Sequence, residues 1–134
     1  MINKNNPFNI RYSSLNKWKG LLGNHKGFCE FEDLKFGIRA AATILMVSYR
    51  KRNVRSYRQI IFAYAPASEN NTENYLSFIC KTLQVKPDDV PNTVYQFARL
   101  LVRIAYYESC FVLDLKYTIF VINYFKIKVY GKEN

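Results

Sequence analysis

Histidine is nearly absent from this chain and cysteine is scarce. His25 is the single histidine, and the three cysteines, Cys29, Cys80 and Cys110, lie far apart. A disulfide framework wants an even count and a zinc site wants paired spacings such as C-x-x-C, so the sequence argues against both. One histidine also supplies Ser-His-Asp and Cys-His chemistry poorly. No metal and no cofactor are expected. Acidic residues are few as well: 10 Asp and Glu stand against 20 Lys and Arg, a formal net charge of +10. Such a chain is drawn to polyanions, whether nucleic acid, acidic lipid or the anionic polymers of a bacterial cell wall. Long apolar runs are missing. The most apolar stretch, residues 117–125, contains Asn123, is flanked by lysines and is too short to span a bilayer. The first residues are polar, so no secretory signal is expected.

Aromatic residues, by contrast, are plentiful: eleven Tyr, ten Phe and one Trp in 134 residues. Tyrosine carries apolar area together with a hydroxyl, so a Tyr-rich chain can line a wet groove as well as a core. The length suits one domain over residues 1–134, and the 49% hydrophobic share supports a real core.

Residues 1–27 read as loop and turn. "GFCEFED", Gly27 to Asp33, alternates like a short strand, with Phe28, Glu30 and Glu32 on one face and Cys29 and Phe31 on the other. A helix is predicted from about Asp33 to Arg52, because Ile38, Ala41, Ala42, Leu45, Met46 and Tyr49 recur at helical spacing. A second opens at Ser56, which forms a capping box with Gln59, and Pro66 stops it. A third starts near Asn71 or Thr72, with Leu76, Ile79 and Leu83 facing inward. A fourth runs from about Thr93 to Ser109. The tail, residues 114–130, is rich in β-branched and aromatic residues and reads as strand rather than helix. The expected class is mainly α (α+β), with a small β element.

The fourth helix carries the most informative residue. Phe97, Leu101, Ile104 and Glu108 step by 4, 3 and 4, so they share one face. That face is apolar until Glu108. Desolvation disfavours the charged form of a carboxyl set against apolar surface, which suits a general acid; a snorkelling or Arg-paired glutamate is the alternative. "RKRNVRSYR", Arg50 to Arg58, places five basic residues at a joint between helices, as a phosphate-contacting turn would. The helix that follows is short and apolar and offers few base-reading side chains, which disfavours nucleic acid as a partner.

Six ordered motifs carry a family resemblance. They are "NNPFNIR" at residues 5–11, "WKG" at 18–20, "GFCEF" at 27–31, "GIRA" at 37–40, "YAPASENNTENY" at 64–75 and "YES" at 107–109. In this order they resemble short phage and prophage virion structural proteins, over about residues 3–110, with 114–134 a divergent tail. The same pieces resemble lysozyme-like peptidoglycan hydrolases of the glucosaminidase and lytic transglycosylase type, with the Glu-Ser element last instead of first, as in a circular permutation. The resemblance implies a lysozyme-like helical domain acting on peptidoglycan glycan strands. It implies Glu108 as the catalytic acid/base. Asn6 and Asn9 would grip N-acetyl groups or fix the loop, Tyr75 would present its hydroxyl, and Phe8, Trp18 and Tyr64 would stack on sugar rings. Glu69 and Asn70 would order their loop. A second carboxylate, where one is needed, would come from Glu30 or Glu32. The alternative is a non-catalytic virion component that keeps the fold and contacts other virion proteins. Either version places the protein in the virion, or in the bacterial cytoplasm when expressed from a prophage. The family's glycine after the glutamate is missing, since Cys110 follows Ser109. The apolar residues 111–113 are then candidates to cover Glu108.

Overall fold

The computed structural model describes residues 3–68 and 71–132. Two strands, β1 (Leu21–His25) and β2 (Phe28–Phe31), precede the helices α1 (Leu34–Thr43), α2 (Tyr49–Lys51), α3 (Tyr57–Tyr64), α4 (Thr72–Leu83), α5 (Val94–Ser109) and α6 (Leu115–Tyr124). A π-helical segment, Ile44–Ser48, joins α1 to α2 without a break. The protein is mainly α with a small β element.

The helix starts follow from local chemistry. Asp33 caps α1 by accepting from Lys35 N, Ser56 and Gln59 form a reciprocal capping box on α3, and Thr93 with Gln96 repeats it on α5. Asn71 caps α4 through Asn74 N. The inward positions expected from periodicity are buried: Ile38, Ala41, Ala42, Leu45, Met46 and Tyr49 along the first helix, and Phe97, Leu101 and Ile104 along α5. In β2, Cys29 and Phe31 are buried while Phe28 and Glu30 are half-buried, as alternation requires.

Two expectations are corrected. The stretch 1–27 is not all loop, because β1 pairs antiparallel with β2 across a tight turn in which Lys26 (φ +52) and Gly27 (φ +92) are left-handed. Gly23 and a register irregularity between Leu21 and Gly23 hide its alternation. The tail is not a strand over 115–124 but the helix α6. Asp114 caps it by accepting from Tyr117 N at 2.7 Å, and Thr118, Val121 and Ile122 are buried at helical spacing. Packing of this face on α1 and α5 outweighs the β propensity of its residues. The first helix was expected to be regular, and its π segment gives no sequence signal that periodicity detects.

Gly37 fixes how the N-terminal loop meets this frame. A methyl group there would overlap the backbone carbonyl of Asn5, whose side chain in turn donates to Phe31 O at 2.8 Å. Gly37→Ala is therefore expected to lower stability by about 1–3 kcal/mol, the usual range for overpacking, as read from urea unfolding. A change below about 0.5 kcal/mol would show that the loop is not clamped at this point.

Candidate active site

The segment "NNPFNIR" is a built loop. Asn5 and Asn9 both adopt left-handed backbone conformations, with φ of +55 and +53. Asparagine tolerates this region better than most side chains. Asn6 is fully buried: its amide donates to Ile10 O and Cys29 O, and its Oδ1 accepts from Ile10 N. Asn6 therefore fixes the loop and is not available to grip a ligand. Asn9 points the other way, donating to the side chain of Glu108 at 3.1 Å and to its carbonyl at 3.3 Å. Ser109 adds a second tie, from its hydroxyl to Pro7 O at 2.8 Å.

Glu108 sits in the last turn of α5, half-buried. Tyr75 Oη donates to its Oε2 at 2.8 Å, so each carboxylate oxygen holds one donor. Burial first, and then the charge of Glu108, push the Tyr75 phenol far above the ordinary tyrosine value, so it remains a donor. Tyr75 also stacks on Tyr107, with ring centroids 3.8 Å apart. Tyr64 donates to Phe8 O, and its phenol is likewise raised, by burial and then by Glu108.

Glu108, Asn9 and Tyr64 border a cleft of about 350 Å³. Asn9, Arg11 and Asn16 of the N-terminal loop and Phe28 of β2 line it on one side. Ile44 and Tyr49, which bracket the π segment, and Tyr64 complete it, with Glu108 at the end of α5. Burial pushes the Tyr49 phenol up to about 12. The polar lining thus combines one carboxylate, the Arg11 guanidinium, the amides of Asn9 and Asn16 and the phenols of Tyr49 and Tyr64. Among the described residues, no group of His, Cys, Asp and Glu could hold a metal.

The structure brings Asn9 and Tyr75 into hydrogen-bond contact with Glu108 and sets Tyr64 in the cleft wall, whereas Tyr75 is buried and does not itself line the cleft. Other expectations do not match their placement. Phe8 is 0% exposed and packs in the core, so its ring is not offered to a sugar. Trp18 is half-buried against the core and does not line the cleft; its Nε1 is buried without a partner among the described residues. Glu30 and Glu32 belong to the outward face of the hairpin and do not line the cleft either. Glu69 and Asn70 lie outside the described residues. In the segment after the glutamate Cys110 and Val112 are exposed, Phe111 is half-buried and Leu113 is buried, and none of the four lines the cleft. Sequence reasoning missed Tyr49, Ile44, Arg11 and Asn16 as cleft residues. Tyr49 and Ile44 belong to a helix read only for its core face.

The class that emerges is a mainly helical protein whose N-terminal loop and a late helix end frame a cleft with one glutamate. A phage protein has a similar sequence. Protein P5 of Pseudoalteromonas phage PM2 is 39% identical over 82 residues, which are 58% of this chain and 51% of that protein. The chain thus spans about half the length of the curated relative it matches. The chain matches no family profile.

Two expected outcomes test the site's construction. Tyr75→Phe removes one donor to Glu108 and is expected to cost about 1.5–3 kcal/mol of stability in chemical denaturation, as for hydrogen bonds to charged groups. An unchanged midpoint would mean that the contact contributes nothing. Cys110 closes α5 in a left-handed conformation, φ +54, with its N–H on Ala105 O and Tyr106 O. Cys110→Gly is expected to raise stability by up to about 1 kcal/mol in the same assay, because glycine takes this conformation without a Cβ clash.

Proposed function

We propose that this is a phage-derived, lysozyme-like protein that binds and cleaves the glycan strands of bacterial peptidoglycan, with Glu108 as general acid and then base. The observation that carries this reading is the Glu108 carboxylate in an open cleft, held by Tyr75 and Asn9. The tie between residues 7–9 and 108–109 supports the permuted layout, in which the loop that would follow the glutamate in lysozyme-like enzymes stands first in this chain. The phage relative agrees with the origin, and virion association follows from the same reading.

Retaining and inverting glycosidases use two carboxyl groups across the scissile bond. Glu108 is the one carboxylate lining the cleft among the described residues. A lytic transglycosylase reaction suits that count. Glu108 would give its proton to the glycosidic oxygen as the bond to the anomeric carbon breaks. It would then take a proton from a hydroxyl of the same sugar as that oxygen closes on the anomeric carbon. Asn9, Asn16 and Tyr64 are the side chains placed to contact the sugar.

A second reading, a non-catalytic virion protein that keeps the fold, is favoured by Cys110 standing where the family pattern has glycine. A nucleic-acid role loses support because two of the five basic residues of the joint are engaged within the fold. Arg50 is buried, and Arg58 pairs with Asp88 at 3.0 Å.

Purified protein is expected to release soluble fragments from purified sacculi, and Glu108→Gln is expected to lower that rate at least about 100-fold, the low end for general acid–base catalysis. Binding to sacculi without release by the native chain would replace the catalytic reading with the structural one. Neither binding nor release would remove both.

A further inference from the structure

Arg50 is an unusual buried charge. Its side chain is 4% exposed, yet every partner is neutral: Nε donates to Tyr130 O at 2.9 Å, and Nη1 donates to Pro91 O and to Asn92 Oδ1, each at 3.3 Å. A buried cation is ordinarily offset by an acid. Here the neighbouring charge is another cation, Arg55, and burial together with that charge lowers the Arg50 pKa. Asn92, the residue that Arg50 holds, lines a groove of about 600 Å³ between the start of α5 and the chain after α6. Lys126, Lys128 and Lys132 line the same groove, and among the described residues no acidic side chain does. Lys132 donates to Asn92 O at 2.8 Å, while Lys126 and Lys128 are exposed. The Thr93 capping box takes up the Gln96 N–H in the first turn of α5, and the lysine side chains add positive charge to the groove.

We propose that this groove is a binding site for a small organic phosphate, separate from the Glu108 cleft. Three ammonium groups around one concavity, backed by a buried guanidinium, offer the several charged donors that a phosphate oxyanion takes. The groove is larger than an oxyanion needs and falls within the range of small-molecule sites, about 300–1,000 Å³. Ile127 and Val129 give it an apolar part for the organic body, and Asn92 and Asn123 give it amides. The two sites lie toward opposite ends of α5, a helix of 16 residues, so occupancy of one does not block the other.

The test uses the full chain labelled with nitrogen-15, titrated in separate runs with inorganic phosphate, glucose 6-phosphate and glucose. Glucose 6-phosphate is expected to move the amide signals of Thr93, Asn123 and residues 126–129. Inorganic phosphate should move the same signals with weaker affinity, and glucose should leave them in place. Lys126→Ala with Lys128→Ala should weaken binding at least about tenfold, whereas Lys116→Ala, on the α6 surface outside the groove, should not. Glu108→Gln should bind as the native chain does, which separates this site from the glycan reading. The proposal is overturned if glucose 6-phosphate leaves these amides unmoved, or if the double substitution does not weaken binding. It is also overturned if inorganic phosphate binds as tightly as the sugar phosphate, since the groove would then recognise no organic body.

Discussion

The contact on which the site depends is between the amide of Asn9 and the end of α5. It joins residues 99 positions apart, and it is made by a loop whose shape is set elsewhere. Asn6 locks the loop to itself and to β2 through three buried hydrogen bonds. Asn5 ties it to the end of β2, and the missing Cβ of Gly37 lets it lie against α1. Only then does Asn9 reach Glu108. Each asparagine thus has a separate duty: one anchors, one fills, one meets the carboxylate. Asparagine suits all three, because its short side chain both donates and accepts, and at Asn5 and Asn9 it also tolerates a left-handed backbone.

The wall formed by Ile44 and Tyr49 has a different origin. A π segment widens the helix by one residue per turn and so re-aims the side chains that follow it. Here it is held from outside, since Met46, within the segment, accepts Tyr130 N–H at 2.9 Å and Arg50, just after it, holds Tyr130 O. The chain after α6 therefore supports the helix whose other side lines the cleft. Residues 126–132 have a structural reason to be present that does not depend on their similarity to anything.

Much of this was legible in the sequence where one local rule dominated. The capping box at Ser56, the alternation of β2 and the helical stripe from Ile38 to Tyr49 are short-range patterns, and they hold. The apolar face of the fourth helix ends in Glu108, which the structure shows half-buried at the cleft. What failed was long-range. The residues of α6 have β propensity taken singly, and only their packing on α1 and α5 makes them a helix. Phe8 and Trp18 are aromatic and near the motif residues in sequence, but adjacency in sequence does not decide which face a ring takes. Phe8 serves the site through its backbone carbonyl, which accepts from Tyr64, while its ring fills the core. The basic run Arg50 to Arg58 likewise looked like one surface. Its members separate in space: Arg50 turns inward to carbonyls, Arg52 lies over the Tyr49 ring at 5.3 Å, and Arg58 pairs with Asp88.

The abundance of tyrosine also acquires a physical meaning at the cleft. Neutral donors can hold a carboxylate in place without competing with it for a proton. Lysine or histidine beside Glu108 would compete, the first by its charge and the second by titrating near neutrality. Tyr75 and Tyr64 do not. Burial, and then the negative charge of Glu108, hold both phenols above the ordinary value of about 10, so their hydroxyls stay donors throughout the neutral range. The same coupling limits what can replace Tyr75. Phenylalanine keeps the ring stacked on Tyr107 but leaves one carboxylate oxygen without its donor, whereas a charged donor would change the electrostatics of the whole cleft. A neutral hydroxyl on a rigid, buried ring meets both requirements at this position.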